Sequence, residues 1–447
     1  MPLIDQIIAT VSLWQKQLLD LQSAPTPETP RLARLEQAAG ELGKRIAQLA
    51  LEDQLQQLGS GYSASSLPCP CGQRQRFLRH ATRQVRSLCG TLRLRRAYYR
   101  CQHCGHSRLP LDEQLGLSER EISPGVERAA SLLAAHLPFA ETEFVLAEIT
   151  GVSLSGRQIE TVAESLGQQA HQQQQAEAEQ ASRQGLVEVR GPQSLPPKTY
   201  LIEMDGVQVG LQDGSWQEVK NGIIYELSQR LEISKQRREL LTSQRLAWRG
   251  EVSRFRRQLW ASVVSTRVRT CDRVVVIGDG AEWIDQTVGL MFPGALRILD
   301  YYHAAQRIWA VAQARFGQGS GIGKRWAQGQ LTKLRGGQSR QVIGAMRRLK
   351  MGTCESRAIR DEAVRYLWQR REQMRYDEYE RQGLPIGSGA IESTCKQVVT
   401  ARLKQAGMRW SEAGVDAMVA LRCYVLNGRF DELCPKPAIS FDWQQAA

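Results

Sequence analysis

Apolar residues recur at helical spacing through the N-terminal part of the chain. One stripe spans residues 4–21, a second spans 32–49, and a proline-rich stretch at 25–30 separates them. Spacings of three and four residues place side chains on one face of a helix, so two amphipathic helices are predicted. The second stripe has the a/d spacing of a short coiled coil, which could either pair two protomers or fold back on its own chain.

The pattern stays helical between residues 119 and 170, with one sharp interruption. A predicted helix over 139–150 ends in a glycine turn, and Ser155-x-x-Gln158 supplies capping-box residues that begin another helix. This arrangement is typical of a helix-turn-helix, although a generic helical hairpin has the same pattern. A helix-turn-helix would offer three side chains of its second helix to a DNA major groove: Arg157, Gln158 and Glu160.

Apolar, β-branched runs replace the helical pattern in the second half of the chain. Two such runs predict strands that end at Asp205 and Asp279, and a third ends at Asp300. Between the first two, an Asp-Gly pair at 213–214 predicts a hairpin and the pattern at 252–265 predicts a helix. Hairpin strands followed by a helix and further strands predict a mixed sheet.

A long helical insertion is predicted before the last acidic candidate. The 113 residues from Asp279 to Glu392 are far more than a strand–helix connection needs. Residues 304–381 have apolar positions at helical spacing and are expected to form a bundle of their own. A loop rich in glycine and proline at 383–389 then precedes a helix, which places Glu392 in the first turn of that helix.

The charge of the chain is concentrated in two blocks. Of 59 basic residues, ten arginines lie at 70–110 and ten basic residues lie at 304–350, and neither block contains an acidic residue. Because each neutralised phosphate releases counterions, such clustering favours nucleic-acid binding over an ordinary solvated surface. The predicted DNA contacts are Arg93, Arg95, Arg96 and Arg100 in the first block, and Arg347 and Arg348 in the second.

Several functional classes are not expected. No apolar run approaches the ~18–20 residues of a membrane-spanning helix, and no secretory signal precedes the first predicted helix. The chain has no Gly-x-x-x-x-Gly-Lys-Ser loop, so no nucleotide triphosphate is expected to bind. We expect a cytoplasmic, nucleoid-associated protein without a membrane partner.

Five of the ten cysteines lie close together in the sequence. Cys69-Pro-Cys71 and Cys101-x-x-Cys104 are each followed by glycine and lie about thirty residues apart, which predicts one structural Zn²⁺ held by four thiolates at a small β-ribbon. The first pair is one residue shorter than the usual zinc knuckle. This leaves open whether one thiolate is replaced by another side chain: His80, Cys89, His103 or His106. A disulfide framework is the alternative, but the remaining cysteines are scattered singly.

Asp205, Asp279 and Glu392 are candidate ligands for divalent metal ions. Neighbouring strands would hold the two aspartates side by side. Mg²⁺ prefers oxygen ligands, and two ions about 3.5–4 Å apart can activate an attacking oxygen and stabilise a leaving one. The alternative is that each acid caps a helix or a turn. Glu203 and Glu282 are competing candidates, because strand alternation puts Glu203 on the same face as Asp205.

Three short phrases carry a resemblance to a known family. They are Ile-Gly-Asp279-Gly-Ala-Glu-Trp-Ile, Leu-Asp300-Tyr-Tyr-His303-Ala and Pro-Ile-Gly-Ser-Gly-Ala-Ile-Glu392-Ser. In this order they resemble the DDE transposases of bacterial insertion sequences in the Mutator-like superfamily, in the branch with an upstream cysteine motif and a helix-turn-helix. The resemblance covers roughly residues 65–430.

The resemblance implies a fold and a set of roles. The fold is an RNase H-like mixed α/β core interrupted by an all-helical insertion. The cofactors are two Mg²⁺ (or Mn²⁺) ions at Asp205, Asp279 and Glu392, and His303 is implied to position the scissile phosphate or a water. For Asp300, a ligand or supporting role and a helix-cap role both stay open.

The implied activity is cleavage and joining of DNA strands. Such a protein binds terminal inverted repeats in double-stranded DNA and joins the cut ends to target DNA as a homodimer or larger assembly. A metal-dependent nuclease that never joins ends is the first alternative. A domesticated zinc and helix-turn-helix DNA-binding protein without catalysis is the second.

The predicted organisation is a multidomain α+β chain. Its segments are an N-terminal helical region (1–60), a zinc-binding Arg-rich module (61–118), a helix-turn-helix (119–170), a linker (171–197), two parts of a catalytic core (198–303 and 382–447) and the helical insertion between those parts (304–381).

Overall fold

The computed structural model describes residues 2–23, 30–186, 196–234 and 238–437. The chain forms two compact units, Met1–Ala163 and Glu164–Ala447. Most of the predicted proline-rich break, and residues 187–195 of the predicted linker, lie outside the described ranges. Within those ranges, every helix is too short or too polar to cross a membrane.

Two packed helices open the first unit. They are α1 (Leu3–Ser23) and α2 (Arg31–Gln57), and they follow the two predicted apolar stripes. The indole N–H of Trp14 donates to the carbonyl of Ala38 at 2.8 Å, which fixes α1 against α2. Both helices are therefore confirmed, and the pairing of two protomers through this region stays a prediction.

A four-stranded antiparallel sheet follows, in the order β1-β2-β3-β4. The strands are β1 (Ser66–Pro68), β2 (Arg74–Ser87), β3 (Gly90–Cys101) and β4 (Ser107–Arg108). β2 and β3 form a long hairpin, and the turns at its open end bring the two cysteine pairs together. Val85, Leu92 and Leu94 are buried on one face of this hairpin, as the alternation of a half-buried strand requires.

Four helices complete the first unit. They are α3 (Pro110–Gln114), α4 (Pro124–His136), α5 (Phe139–Thr150) and α6 (Gly156–Ala181), and α6 continues into the second unit. The predicted capping box is present: Gln158 N–H donates to Ser155 Oγ at 3.3 Å, and Ser155 N–H donates to Gln158 Oε1 at 3.1 Å. Gly151 ends α5 with a φ of 73°, a conformation that favours glycine.

The linker predicted from residue 171 is wrong at its start, because α6 continues to Ala181. Alanine and glutamine are good helix formers, and a Gln- and Ala-rich stretch propagates a helix that has already begun. Ala170, Ala178 and Ala181 are buried, so packing also holds this part of the helix.

A mixed five-stranded sheet forms the centre of the second unit. Its strands are β5 (Thr199–Gly210), β6 (Trp216–Glu226), β9 (Gln244–Arg249), β10 (Arg273–Gly278) and β11 (Leu296–Leu299), in the order β11-β10-β5-β6-β9. β5, β10 and β11 are parallel, whereas β6 is antiparallel to both β5 and β9. The predicted hairpin joins β5 to β6, and β7 (Arg230–Glu232) pairs separately with β8 (Arg238–Leu240).

Helices cover both faces of this sheet. Before the insertion come α7 (Val252–Ser265) and α8 (Glu282–Met291). The insertion contains α9 (Tyr301–Phe316), α10 (Gly321–Arg335), α11 (Ser339–Arg348), α12 (Cys354–Gln369) and α13 (Tyr376–Arg381). After it come α14 (Gly389–Cys395), a π-helical segment (Lys396–Thr400), α15 (Ala401–Leu403), α16 (Glu412–Leu426) and α17 (Phe430–Leu433). α7 has the predicted bounds. Ile202 and Met204 on one sheet face pack with Phe255 and Leu259 of α7.

The insertion packs on the opposite sheet face. Leu201 and Ile277 of the sheet share one core with Ile308 of α9, Leu367 of α12 and Ile391 of α14. The helical character of 304–381 is confirmed. The insertion helices pack on one another, as the expected bundle requires, and this bundle shares its hydrophobic core with the sheet.

Candidate functional site

Asp205 and Asp279 lie next to each other at two neighbouring parallel strands. Asp205 lies within β5, which continues past its predicted end at this residue to Gly210, whereas Asp279 directly follows β10. The last paired residues of β5 and β10 are Glu203 and Ile277, and each aspartate lies two residues further along the chain. A step of two residues keeps a side chain on the same sheet face, and neighbouring strands are about 4.8 Å apart. Both carboxylates therefore project from the face that carries Leu201 and Ile277, which the insertion and α14 cover.

Each aspartate is anchored by the backbone that follows it. Asp205 Oδ1 accepts from Gly206 N–H at 2.7 Å, and Asp279 Oδ1 accepts from Ala281 N–H at 2.8 Å. Burial raises the pKa of Asp205 above its usual value, and the negative charge of Asp279 raises it further. Two like charges held together on a rigid edge are the arrangement that a divalent cation stabilises, so the donor set fits a hard metal ion such as Mg²⁺.

Glu392 occupies the first turn of α14 and is exposed. Cys395, one turn later, is buried, and its Sγ lies 3.8 Å from Asp205 Oδ2. Residues three apart lie on one side of a helix, so Glu392 lies on the side of α14 that approaches Asp205. Across the described ranges, however, the carboxylates of Asp205, Asp279 and Glu392 do not close into a group with all ligand atoms within 4.8 Å.

Glu203 shares the face of Asp205 but is fully engaged in the core. Its Oε2 accepts from Ile391 N–H in the first turn of α14 at 2.9 Å, and its Oε1 accepts from the Tyr225 hydroxyl at 2.6 Å. Only 1% of its surface is exposed, and burial raises the pKa of Glu203 to about 7. This carboxyl joins β5, β6 and α14 and is not available to an incoming ligand.

Asp300 caps α9 and also holds the loop before α14. Its Oδ1 accepts from His303 N–H at 2.8 Å, and its Oδ2 accepts from both the N–H and the hydroxyl of Ser388 at 2.5 Å. Burial alone would raise the pKa of Asp300, but the hydrogen bonds from His303 and Ser388 outweigh burial and lower the pKa to about 2. The structure therefore favours the helix-cap role for Asp300.

His303 faces the aspartate pair from the start of α9. Its Nδ1 lies 3.3 Å from Asp300 Oδ1, and its side chain is 36% exposed. Asp300 raises the pKa of His303, and the negative charges of Asp279 and Asp205 act in the same direction. The imidazole is therefore partly accessible and lies beside two carboxylates that favour its protonated form.

Tyr366 of α12 and Arg370, which directly follows α12, hold the backbone at Asp279 and give no signal in the sequence. The Tyr366 hydroxyl donates to the Asp279 carbonyl, and Arg370 Nη2 donates to the Gly280 carbonyl. Gly280 has a φ of 77°, and a Cβ there would collide with the Arg370 guanidinium. The turn after β10 therefore needs glycine, and the insertion forms one wall of the site.

The four predicted cysteines of the first unit form a second candidate site. Their sulfur atoms lie within 4.8 Å of one another, with Cys69 3.4 Å from Cys71 and 3.5 Å from Cys104. Four sulfurs about 2.3 Å from a tetrahedral zinc ion are about 3.8 Å apart, so the cluster could bind a metal such as zinc. Among the described residues, none of the alternative ligands joins this group: His80, Cys89, His103 or His106.

Sequence comparison assigns the chain to a family. Residues 71–432 match an uncharacterised protein family, UPF0236. The chain belongs to the UPF0236 family. It is similar to a Streptococcus gallolyticus protein described as "UPF0236 protein in vanSb 3′ region", with 24% identity over 361 residues that make up 78% of this chain and 74% of that protein. The family match contains the aspartate pair, Glu392 and the whole insertion.

Most predicted DNA contacts are exposed in this UPF0236 chain. Those with exposed side chains are Arg93, Arg95 and Arg100 on β3, Arg157 and Gln158 on α6, and Arg347 and Arg348 on α11. Arg96 differs, because its side chain is 11% exposed and pairs with Asp112 at 2.5 Å, beside the Arg83–Asp112 pair at 3.0 Å. We assign Arg96 a structural role, because α3 places Asp112 against the face of the β2–β3 hairpin that carries Arg96.

Proposed function

We propose that this UPF0236 protein is a DDE transposase that cleaves DNA at terminal inverted repeats and joins the ends to target DNA. The observation that carries the proposal is the pair Asp205 and Asp279 on adjacent parallel strands, with α14 bringing Glu392 toward the same sheet face. The ends of adjacent strands fix carboxylates more precisely than long loops can. A transposase would use this site to cut and join the DNA that the proposed DNA-binding modules of the first unit hold.

The topology supports an RNase H-like core. Such a core has three antiparallel strands followed by two parallel ones, with a helix between the third and fourth. β5, β6 and β9 supply the first group, β10 and β11 supply the second, and α7 lies between β9 and β10. The insertion lies between β11 and α14, where the resemblance places it.

Asp205, Asp279 and Glu392 are the residues that would hold divalent metal ions. Two Mg²⁺ or Mn²⁺ ions bound there would activate the attacking oxygen and stabilise the leaving one. Asp205 and Asp279 are preorganised by their backbone hydrogen bonds, whereas the exposed side chain of Glu392 would have to turn toward them. Glu203 and Asp300 set the position of α14 and do not bind metal in this proposal.

His303 would contact the scissile phosphate. Its raised pKa favours the imidazolium form, which donates hydrogen bonds to anionic oxygen. Asp300 Oδ1 lies 3.3 Å from Nδ1 of the ring, which leaves Nε2 as the nitrogen that would face the DNA.

The first unit would recognise the DNA ends. Zinc bound by the four cysteines would fix the open end of the β2–β3 hairpin, and Arg93, Arg95 and Arg100 would contact phosphates. Arg157 is exposed in the first turn of α6, so it could reach a base edge in the major groove. A dimer or larger assembly would hold two ends together.

The test is a cleavage assay on DNA that carries the sequences flanking the coding region. Asp205→Asn, Asp279→Asn and Glu392→Gln should each lower Mg²⁺-dependent cleavage by at least ~10²–10³-fold and leave DNA binding intact. Glu282→Gln is the matched control, because Glu282 is exposed on α8 near Asp279 and accepts a hydrogen bond from Gln286 of the same helix. Near-normal cleavage by any one of the three variants would remove that residue from the proposed site.

A further inference from the structure

Arg307 is the first arginine of α9, one turn after His303. It follows His303 by four residues, so both side chains lie on one face of α9. The Arg307 guanidinium stacks on the ring of Tyr366, with its carbon 4.7 Å from the ring centre. The hydroxyl of the same ring donates to the Asp279 carbonyl, so Arg307 is tied to the site through one rigid aromatic ring.

Tyr366 carries a second arginine on its ring. Arg370 lies 4.4 Å from the ring centre, and burial raises the pKa of Tyr366 to about 12, so the phenol stays neutral. The hydrogen bonds of Arg370 go to backbone carbonyls of Gly280 and Tyr366, which gives it a structural role. Arg307 is different, because its guanidinium donates to Glu362, an acid at the surface.

The partner of Arg307 is easily replaced. Glu362 Oε1 lies 3.0 Å from Arg307 Nη1, and the two side chains are 58% and 43% exposed. An exposed ion pair of this kind contributes little to stability, so an incoming anion can take the place of the carboxylate at low cost. A guanidinium held flat on an aromatic ring keeps its donors in the fork that matches a phosphate.

We infer that Arg307 binds a phosphodiester of the DNA strand next to the scissile bond, and that Glu362 occupies this position when DNA is absent. The inference rests on the proposed function and names a contact within it. The ligand is the DNA backbone, because the position lies beside the residues proposed to cut DNA. Arg335 and Arg347 make contacts of the same kind, an ion pair with Glu380 and a stack on Trp368. Of these three arginines, Arg307 is the one whose aromatic partner also bonds to the backbone of Asp279.

The two members of the pair should act on DNA binding in opposite directions. We would titrate the full chain with duplex DNA in Ca²⁺, at several salt concentrations, for the wild type, Arg307→Ala and Glu362→Ala. Arg307→Ala should weaken DNA binding about ten-fold at low salt. It should also reduce the slope of log affinity against log salt concentration by about one unit. Glu362→Ala should bind DNA as tightly as the wild type or more tightly, because it removes the competing anion.

The matched control is another exposed ion pair of the insertion, Arg381–Asp377, at 3.1 Å. Arg381→Ala makes the same change in charge and should change affinity less than Arg307→Ala. A set of duplexes, each with one neutral methylphosphonate at a different position of the cleaved strand, identifies the contact. At one position the methylphosphonate should weaken DNA binding by the wild type and leave DNA binding by Arg307→Ala unchanged.

Two results would overturn the inference while leaving the proposed function intact. One is normal DNA binding by Arg307→Ala, and the other is equal loss of binding in Arg307→Ala and Glu362→Ala, which would mean that the pair only supports the fold. A wild-type protein that binds no DNA would overturn both the inference and the proposed function.

Discussion

Replacing Asp300 with asparagine should destabilise the second unit even without metal or DNA. The side chain is fully buried and accepts three hydrogen bonds, from His303 N–H and from the N–H and hydroxyl of Ser388. Asparagine has one acceptor oxygen, and its NH₂ group would face one of these donors. An unpaired buried donor costs ~1–3 kcal/mol.

The pKa of Asp300 gives a second measure of the same effect. A decrease from the usual 3.8 to about 2 corresponds to roughly 2.5 kcal/mol that the charged carboxylate contributes to the folded state. This contribution is complete well above pH 3.8, the usual value, and is lost as the pH falls through about 2. The difference between wild type and Asp300→Asn should therefore be ~2–3 kcal/mol at pH 7 and should narrow steadily below pH ~4.

Denaturant unfolding followed by tryptophan fluorescence measures this difference. Nine of the ten tryptophans lie in Glu164–Ala447, so the signal reports mainly on the second unit. Asp361→Asn is the control, because the Asp361 side chain is 64% exposed and pairs with its neighbour Arg360 at the surface. This variant should change stability by less than about 0.5 kcal/mol. Equal stability of Asp300→Asn and wild type at pH 7, or a difference that stays constant down to pH 3, would refute the reasoning.

Three further predictions concern the other groups. Cys101→Ser with Cys104→Ser should abolish the binding of about one Zn²⁺ per chain, which metal analysis measures. The same double variant should make the first unit sensitive to protease while the second unit resists, which limited proteolysis measures. Glu203→Gln should become more stable relative to wild type as the pH rises from 5 to 8. Burial raises the pKa of Glu203 to about 7, so the wild type loses the stability contributed by the protonated carboxyl as the pH rises through 7. Unfolding curves of both proteins at pH 5 and pH 8 test this. Arg157→Ala should reduce discrimination between repeat and random DNA by ~1–3 kcal/mol. Arg347→Ala with Arg348→Ala should instead weaken binding to all DNA sequences alike and make the affinity depend less steeply on salt concentration. Competition titrations at several salt concentrations check both.

The local elements could be predicted because each has its own periodic signal. α5 and α7 have the predicted bounds, and the strands that end before Asp279 and Asp300 follow from short β-branched runs bounded by turn residues. The cysteine cluster was also predictable, since the spacing of two pairs limits how the hairpin can close.

The contacts between distant residues could not be predicted in this way. Tyr366 and Arg370 reach the turn after β10 across 87 and 90 residues, and an ordinary helical pattern gives no hint of either contact. Arg96 has the same local pattern as Arg95 and differs only because α3 places Asp112 on its side of the hairpin. Glu203 could be placed on the correct face, but its burial depends on Tyr225 and on α14.

The most direct test of the central claim is a strand-transfer measurement. Purified protein would be incubated in Mg²⁺ with labelled duplex ends from the DNA that flanks the coding region, together with an unlabelled plasmid. The account predicts labelled ends covalently joined to the plasmid, and no joined product with Asp205→Asn or Asp279→Asn. Cut ends that are never joined would contradict transposition and indicate a metal-dependent nuclease.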